Sequence, residues 1–143
     1  MERLKLPQAI AEWNESGKDF LPGYLGMEFV AVEPDEVVAR MRVERHKCAP
    51  NGYLHAGAVV SLADTACGYA TLRNLPDGAS GFTTIELKSN FLGTTLEGDV
   101  ICVAKSVHKG RTTQVWDAEV RAERTGKTIA VFRCTQMILR PPG

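Results

Sequence analysis

Apolar positions along this chain change their period repeatedly, and each change marks an element. In "LPQAIAEWNESG" Leu6, Ile10 and Trp13 lie three to four residues apart, Pro7 falls where a first helical turn tolerates it and Gly17 provides a stop, so a short amphipathic helix is predicted. "MEFVAVE" alternates weakly, Pro34 turns the chain, and "VVARMRVE" sets Val37, Ala39, Met41 and Val43 on one face against Val38, Arg40 and Arg42, which reads as a β-hairpin. "RHKCAPNGY", punctuated by Pro50 and Gly52, reads as a loop feeding a helix. From about Ala56 to Arg73 small and apolar residues occur all round the helical cylinder, the mark of a helix buried on most sides, and "NLPDG" ends it.

Four β-type runs follow: "GFTTIELKSNFL", "GDVICVAKSVH", "RTTQVWDAEVRAE" and "KTIAVFRCTQMIL". The third is the cleanest, with Trp116, Ala118, Val120 and Ala122 on one face and Asp117, Glu119 and Arg121 on the other, so one side packs and the other meets water. Short connections favour antiparallel neighbours. One antiparallel sheet wrapped around the long helix buries that helix best, an α+β arrangement in a single domain over residues 1–143.

Composition adds mainly exclusions. Hydrophobic residues make up 44% and charged residues 24% of the 143 residues, far from the regime of disorder. Lysine plus arginine and aspartate plus glutamate both total 17, so no global field gathers nucleic acid, and an anionic ligand must be met by local charge. Cys48, Cys67, Cys102 and Cys134 lack the paired spacing of a zinc site and the density of a disulfide scaffold; free thiols in a reducing compartment are expected, and no metal. No apolar run is long enough to span a bilayer and none resembles a signal peptide, so the expected location is cytoplasmic, away from membranes.

The chemistry concentrates in "NGYLHAGAVVSLADTACGYA". Asp64 sits among Val60, Leu62, Ala63 and Ala66, where a carboxylate is expensive unless it is paired or faces a cavity. His55, alone at the helix start, reads equally as a structural cap. Nine residues separate the two, about two and a half turns and roughly 13 Å along the axis, on opposite faces. If both act on one substrate, a second copy must supply one of them, which implies a symmetric dimer with two shared sites. The first amides of the helix, those of Ala56 and Gly57, lack intrahelical partners and can stabilise an oxyanion, each well-aimed donor contributing ~3 kcal/mol.

These residues resemble a known family, the hotdog-fold acyl-CoA thioesterases of the phenylacetate-degradation and 4-hydroxybenzoyl-CoA type. The family pattern is a Gly, two residues, His-Gly-Gly and an acid nine positions after the His; Gly52, His55, Ala56, Gly57 and Asp64 match it. "FTTIELKSNFL", "SVHKGRTTQVWDAEV" and "TGKTIAVFRCTQMIL" look like its strands in order, so the likeness covers nearly the whole chain. The resemblance implies a hotdog fold, a long central helix wrapped by a curved antiparallel β-sheet. It further implies a homodimer that pairs into a dimer of dimers, and hydrolysis of acyl-CoA to a carboxylic acid and coenzyme A with no cofactor.

By resemblance Asp64 is the catalytic carboxylate, as nucleophile or as general base, Ala56 N–H the oxyanion donor, His55 the residue that positions the thioester, and Thr84 a hydroxyl that orients water. Two positions depart from the pattern. Ala56 replaces a Gly, and Ala49 stands where the family often has Gln or Asn, a role for which Asn51 is the nearest substitute. Cys67, Gly68 and Thr71, one or two turns past Asp64, are expected to line an acyl pocket. The "HKGRTT" turn, with His108, Lys109, Gly110, Arg111, Thr112 and Thr113, is expected to meet the nucleotide end of coenzyme A. The aspartate resembles the phenylacetate branch, whereas "HKGRTTQVW" and "MILRP" look closer to the hydroxybenzoyl and dihydroxynaphthoyl branch, so the acyl group is read as aryl or arylacetyl, placing the protein in aromatic degradation. Ala49 and Ala56 also leave open a non-catalytic acyl-CoA binding module.

Overall fold

A computed structural model describes residues 4–143, so the first three residues of the expected 1–143 domain lie outside it. Its centre is α3, Ala56–Arg73, with the bounds that the residue pattern predicts. Two short helices precede it, α1 (Ile10–Ser16) and α2 (Leu21–Tyr24), together with strands β1 (Glu28–Val32) and β2 (Glu36–Arg42) and a 3₁₀ turn at Arg45–Lys47. Strands β3 (Gly81–Phe91), β4 (Asp99–Lys109), β5 (Thr113–Ala122) and β6 (Thr128–Leu139) follow it. All six strands form one antiparallel sheet in the order β1-β2-β4-β5-β6-β3, and every strand touches α3. This is the long helix wrapped by an antiparallel sheet that the hotdog resemblance implies.

Register explains why the helix sinks so far into the sheet. Val37, Ala39 and Met41 on β2 stand opposite Ala104, Cys102 and Val100 on β4, and these stand opposite Ala118, Val120 and Ala122 on β5. Every one of these side chains is buried, and alanines at four of the nine positions in this band, Ala39, Ala104, Ala118 and Ala122, let the small-residue face of α3 approach closely. The helix contributes Ala58, Val59, Leu62, Ala63, Ala66, Cys67 and Ala70 to the same core. Trp116 Nε1 donates to Gln114 Oε1 at 2.9 Å and Gln114 Nε2 donates to the carbonyl of Asn74, the C-cap of α3, at 2.8 Å. That chain of bonds fixes the far end of the helix to the β4–β5 turn.

The two edges of the sheet are treated differently. At β1 the side chain of Asn14, on α1, accepts from Phe29 N–H at 2.8 Å and donates to the Phe29 carbonyl at 3.0 Å, occupying backbone groups that another strand would use. Trp13, Phe29 and Tyr69 pack ring to ring beneath it, with centroids 5.4 and 4.3 Å from Tyr69. At the other edge β3 pairs only with β6, and Ile85, Leu87 and Phe91 are exposed along it.

Two details differ from expectation. Helix α1 begins at Ile10 and leaves Leu6 and Pro7 outside, because Glu12 reaches back to accept Gln8 N–H at 2.9 Å and the chain enters the helix only after Ala9. Helix α2 was not foreseen, since four residues carry no readable period; Pro22 in its first turn and the bond from Gly23 N–H to the Gly17 carbonyl at 3.0 Å hold it.

Asn14→Ala removes both bonds to Phe29 and leaves that backbone with no side-chain partner. Equilibrium urea unfolding is expected to show a loss of about 1–2 kcal/mol, and an unchanged midpoint would refute the edge-sealing role.

Candidate functional site

The approach to α3 is built by a closed loop. Lys47, almost wholly buried, directs Nζ at the Arg42 carbonyl (2.9 Å) and Glu44 Oε1 (2.7 Å), while its own carbonyl accepts His55 N–H at 3.0 Å. Ala49 N–H donates to the Tyr53 carbonyl at 2.8 Å, and Gly52 turns the chain at φ +90°, a conformation L side chains resist. Asn51 Oδ1 accepts Tyr53 N–H at 3.2 Å, so the residue suggested as a stand-in for the one missing at Ala49 is occupied in shaping this turn.

His55 is the N-cap of α3, and its Nδ1 accepts Gly57 N–H at 2.7 Å. This corrects the expectation of two free amides: Gly57 N–H is taken by the imidazole, and Ala56 N–H is left as the donor at the helix start. An accepting Nδ1 carries no proton, so the neutral ring holds its proton on Nε2 and presents a second donor. The geometry also ranks the two glycine positions of the family pattern. A Cβ at position 57 would stand 2.9 Å from His55 Nδ1, whereas Ala56 is exposed and carries its methyl without conflict.

Asp64 lies on the strip of α3 that the chain's own sheet covers least, with Gly57, Val60, Ser61 and Thr65 beside it. It is half-buried, Oδ1 is screened from solvent, and that oxygen has no hydrogen-bond partner among the described residues. Burial without a compensating donor holds its carboxyl above the ordinary aspartate range. No hydrogen bond joins Asp64, His55 or Thr84 to one another. Thr84 is half-buried on β3, paired across the strands with Gln136, whose buried side-chain amide also has no protein partner.

The expected acyl lining is corrected in part. Cys67 and Thr71 have no accessible surface and belong to the interior of this chain, where the Thr71 hydroxyl donates to the Cys67 carbonyl at 2.7 Å. The adjacent Cys134 thiol and burial push Cys67 well above the usual thiol range, and burial pushes Cys102 up to about 12, so these are packing thiols. Gly68 is buried under Phe82, whose Cζ would lie 3.3 Å from an added Cβ.

The "HKGRTT" turn sits at the C-terminal end of α3. Lys109 is ion-paired with Asp35, lowering that carboxyl's pKa, and also donates to Asn74 Oδ1 at 3.4 Å. A Cβ at Gly110 would crowd the Thr113 carbonyl at 3.0 Å and displace the exposed His108 ring, and the Gly110 N–H donates to that same carbonyl at 2.9 Å. His108, Arg111 and Thr112 remain exposed, and Thr113 is half-buried at the start of β5. Arg140, not assigned from the sequence, donates to the carbonyls of Arg111 and Asp77 and adds a cation to this corner.

Two concavities flank the helix start. One of about 600 Å³ is lined by Arg45, Cys48, Ala49 and Leu96. The other, of about 340 Å³, lies between α2 and the first two turns of α3 and includes His55. A groove of about 620 Å³ on the opposite face of the sheet is lined by ion-paired side chains, among them Asp117 with Arg133 and Glu119 with Arg121. Among the described residues no cluster of three metal-ligating side chains occurs, and no helix is long and apolar enough to cross a membrane.

The family described as "Thioesterase superfamily" matches residues 51–129, which include α3 and the strands through β5. A 1,4-dihydroxy-2-naphthoyl-CoA hydrolase of Listeria monocytogenes is 32% identical over 111 residues, 78% of this chain and 89% of that protein. The acyl-coenzyme A thioesterase PaaI of Escherichia coli is 33% identical over 110 residues, 76% of this chain and 75% of its own length. Among solved structures, the thioesterase HI1161 of Haemophilus influenzae superposes with a TM-score of 0.87 at 28% identity, covering 95% of this chain and 94% of that one.

Replacing His55 separates its capping from any chemistry. His55→Ala is expected to lower stability by about 1 kcal/mol, and His55→Asn, whose side-chain oxygen can accept the same N–H, to hold it within about 0.5 kcal/mol. Equal losses in thermal or urea unfolding would show that the cap contributes nothing.

Proposed function

We propose, from the premise that the chain belongs to the thioesterase superfamily and is a hydrolase of acyl-CoA thioesters, that Asp64 is its catalytic carboxylate and that aryl or arylacetyl thioesters are its substrates. The observation that carries this reading is the buried, unpartnered Oδ1 of Asp64. A carboxylate kept half-dry with no donor among the described residues is poised to take a proton from water or to attack a carbonyl carbon. The thioester oxygen is held by Ala56 N–H and His55 Nε2–H, at the positive end of α3.

In the water route Asp64 removes a proton as water adds to the carbonyl carbon. The oxyanion then collapses, the C–S bond breaks, and the thiolate of coenzyme A takes up the proton. In the covalent route the carboxylate adds instead, thiolate leaves, and water hydrolyses the resulting anhydride. Single-turnover hydrolysis in ¹⁸O-water tells them apart, because label enters Asp64 only through the anhydride.

His55 and Asp64 are roughly 13 Å apart along one helix, so a complete site needs one chain's helix start and another's carboxylate. The unpaired β3 edge with exposed Ile85, Leu87 and Phe91 supports pairing of two chains on that side, and the groove on the outer sheet face is the candidate contact for a dimer of dimers. Asn74 lies about 15 Å beyond Asp64 along α3. The pantetheine arm spans roughly 16 Å from sulfur to the first phosphorus when extended. A thioester at Asp64 thus sets its phosphates near His108, Arg111, Thr112 and Arg140 of the same chain.

Coenzyme A release from a panel of benzoyl, phenylacetyl and fatty acyl thioesters tests the substrate. Asp64→Asn is expected to lower kcat by about 1,000-fold; a folded variant with full activity defeats the assignment. The raised pKa adds a signed expectation. Folded Asp64 binds its proton more tightly than the unfolded chain does, so the carboxylate costs stability increasingly as pH rises from the ordinary aspartate range through its raised value. Asp64→Asn should therefore raise Tm at pH 7, with the gain vanishing below the ordinary aspartate range, and the acid limb of wild-type kcat/KM should lie above that range.

Shared sites are tested by mixing. His55→Ala and Asp64→Asn chains, each nearly inactive alone, should after co-refolding regain about one quarter of wild-type activity, since half the dimers are mixed and each holds one intact site. No recovery would place the two groups in separate sites.

A further inference from the structure

The cavity of about 340 Å³ beside His55 has no role in the scheme above, which uses only the helix start and Asp64. Its walls are Leu21 of α2 and Leu25 just after it on one side and Ala58 and Ser61 of α3 on the other, with His55, Gly57 and the 46–48 segment completing the lining. The Ser61 hydroxyl is not a free donor, since it donates to the Gly57 carbonyl at 2.7 Å. Leu25 is buried in the core and fixed, whereas Leu21 is 56% exposed. Helix α2 is itself held: Gly23 N–H bonds the Gly17 carbonyl at 3.0 Å, Met27 N–H bonds the Pro22 carbonyl at 2.9 Å, and a Cβ at Gly23 would meet Lys18 O at 1.9 Å. The wall is therefore preformed, apolar and adjacent to a histidine that presents Nε2–H.

We propose that this cavity receives the acyl group of the thioester, and that Leu21 is the residue that sets how large a group is accepted. The proposal rests on His55 holding the thioester carbonyl, as argued above. A carbonyl bonded there has its two substituents leaving in different directions. Coenzyme A is drawn along the α3 that supplies Asp64, toward Arg111 of that chain, so the acyl group is left with the opening between α2 and Ser61 of the chain that supplies His55. The concavity is open to solvent on one side and holds about 340 Å³, room for one or two fused rings against its wall. Because Leu21 is the exposed wall, changing its size alters the cavity with little effect on the core, and one methylene in such a pocket shifts discrimination by roughly 10-fold or more.

The test is the ratio of kcat/KM for naphthoyl-CoA to that for acetyl-CoA in wild type, Leu21→Trp, Leu21→Ala and Phe20→Ala. Phe20 is exposed on the same segment but does not line the cavity. Filling the wall with Trp is expected to lower the ratio at least 10-fold, opening it with Ala to raise it several-fold, and Phe20→Ala to move it less than twofold. Wild-type turnover with ratios that do not respond to Leu21, or that respond equally to Phe20, overturns the subsite alone. Wild type that hydrolyses no thioester of the panel overturns the underlying activity and the subsite with it.

Discussion

A helix of eighteen mostly small residues presents more apolar circumference than six strands of one chain can cover, and the rest of the structure follows from that excess. The alanine-rich inner faces of β2, β4 and β5 let α3 sink until one strip of it stands clear. On that strip the sequence places Gly57, Ser61 and Asp64 in place of leucines. Sinking the helix deprives Asp64 of water, and the core that does so offers no donor in return. The same burial that stabilises the fold thus raises the proton affinity of that carboxylate.

The start of the helix obeys a related economy of donors. A loop closed by the buried Lys47 delivers His55 to the N-cap, and the imidazole then consumes one of the helix's free amides to fix its own orientation. One amide is exchanged for an oriented Nε2–H, which reaches farther from the helix axis. Gly57 is indispensable to that exchange and Ala56 is not, so the departure of this chain from the family pattern falls at the more tolerant of the two positions.

Much of this was readable before any coordinates. The bounds of α3 follow from its unbroken run of small and apolar residues between loop signals, the inward faces of β2 and β5 from strict alternation, and the antiparallel sheet from the short connections. Asp64 stands out as a lone charge in an apolar run. What could not be read was whatever depends on contacts between distant segments: α2 is too short to show a period, the capture of Gly57 N–H by His55 is a matter of rotamer, and Lys109 looks like a free cation until Asp35 arrives from the β1–β2 turn. Cys67 and Thr71 were misjudged for the same reason. A helical wheel places them beside Asp64, and only the wrapped sheet shows that this side is inside.

Finally, the clamp of Asn14 on Phe29 gives the sheet a directionality in assembly. With β1 closed off and β3 open, each chain carries a single sticky edge. The Phe29 N–H and carbonyl are thus satisfied inside the chain, so a strand arriving at β1 finds them occupied, while the outer backbone groups of β3 keep their hydrogen-bonding capacity unspent.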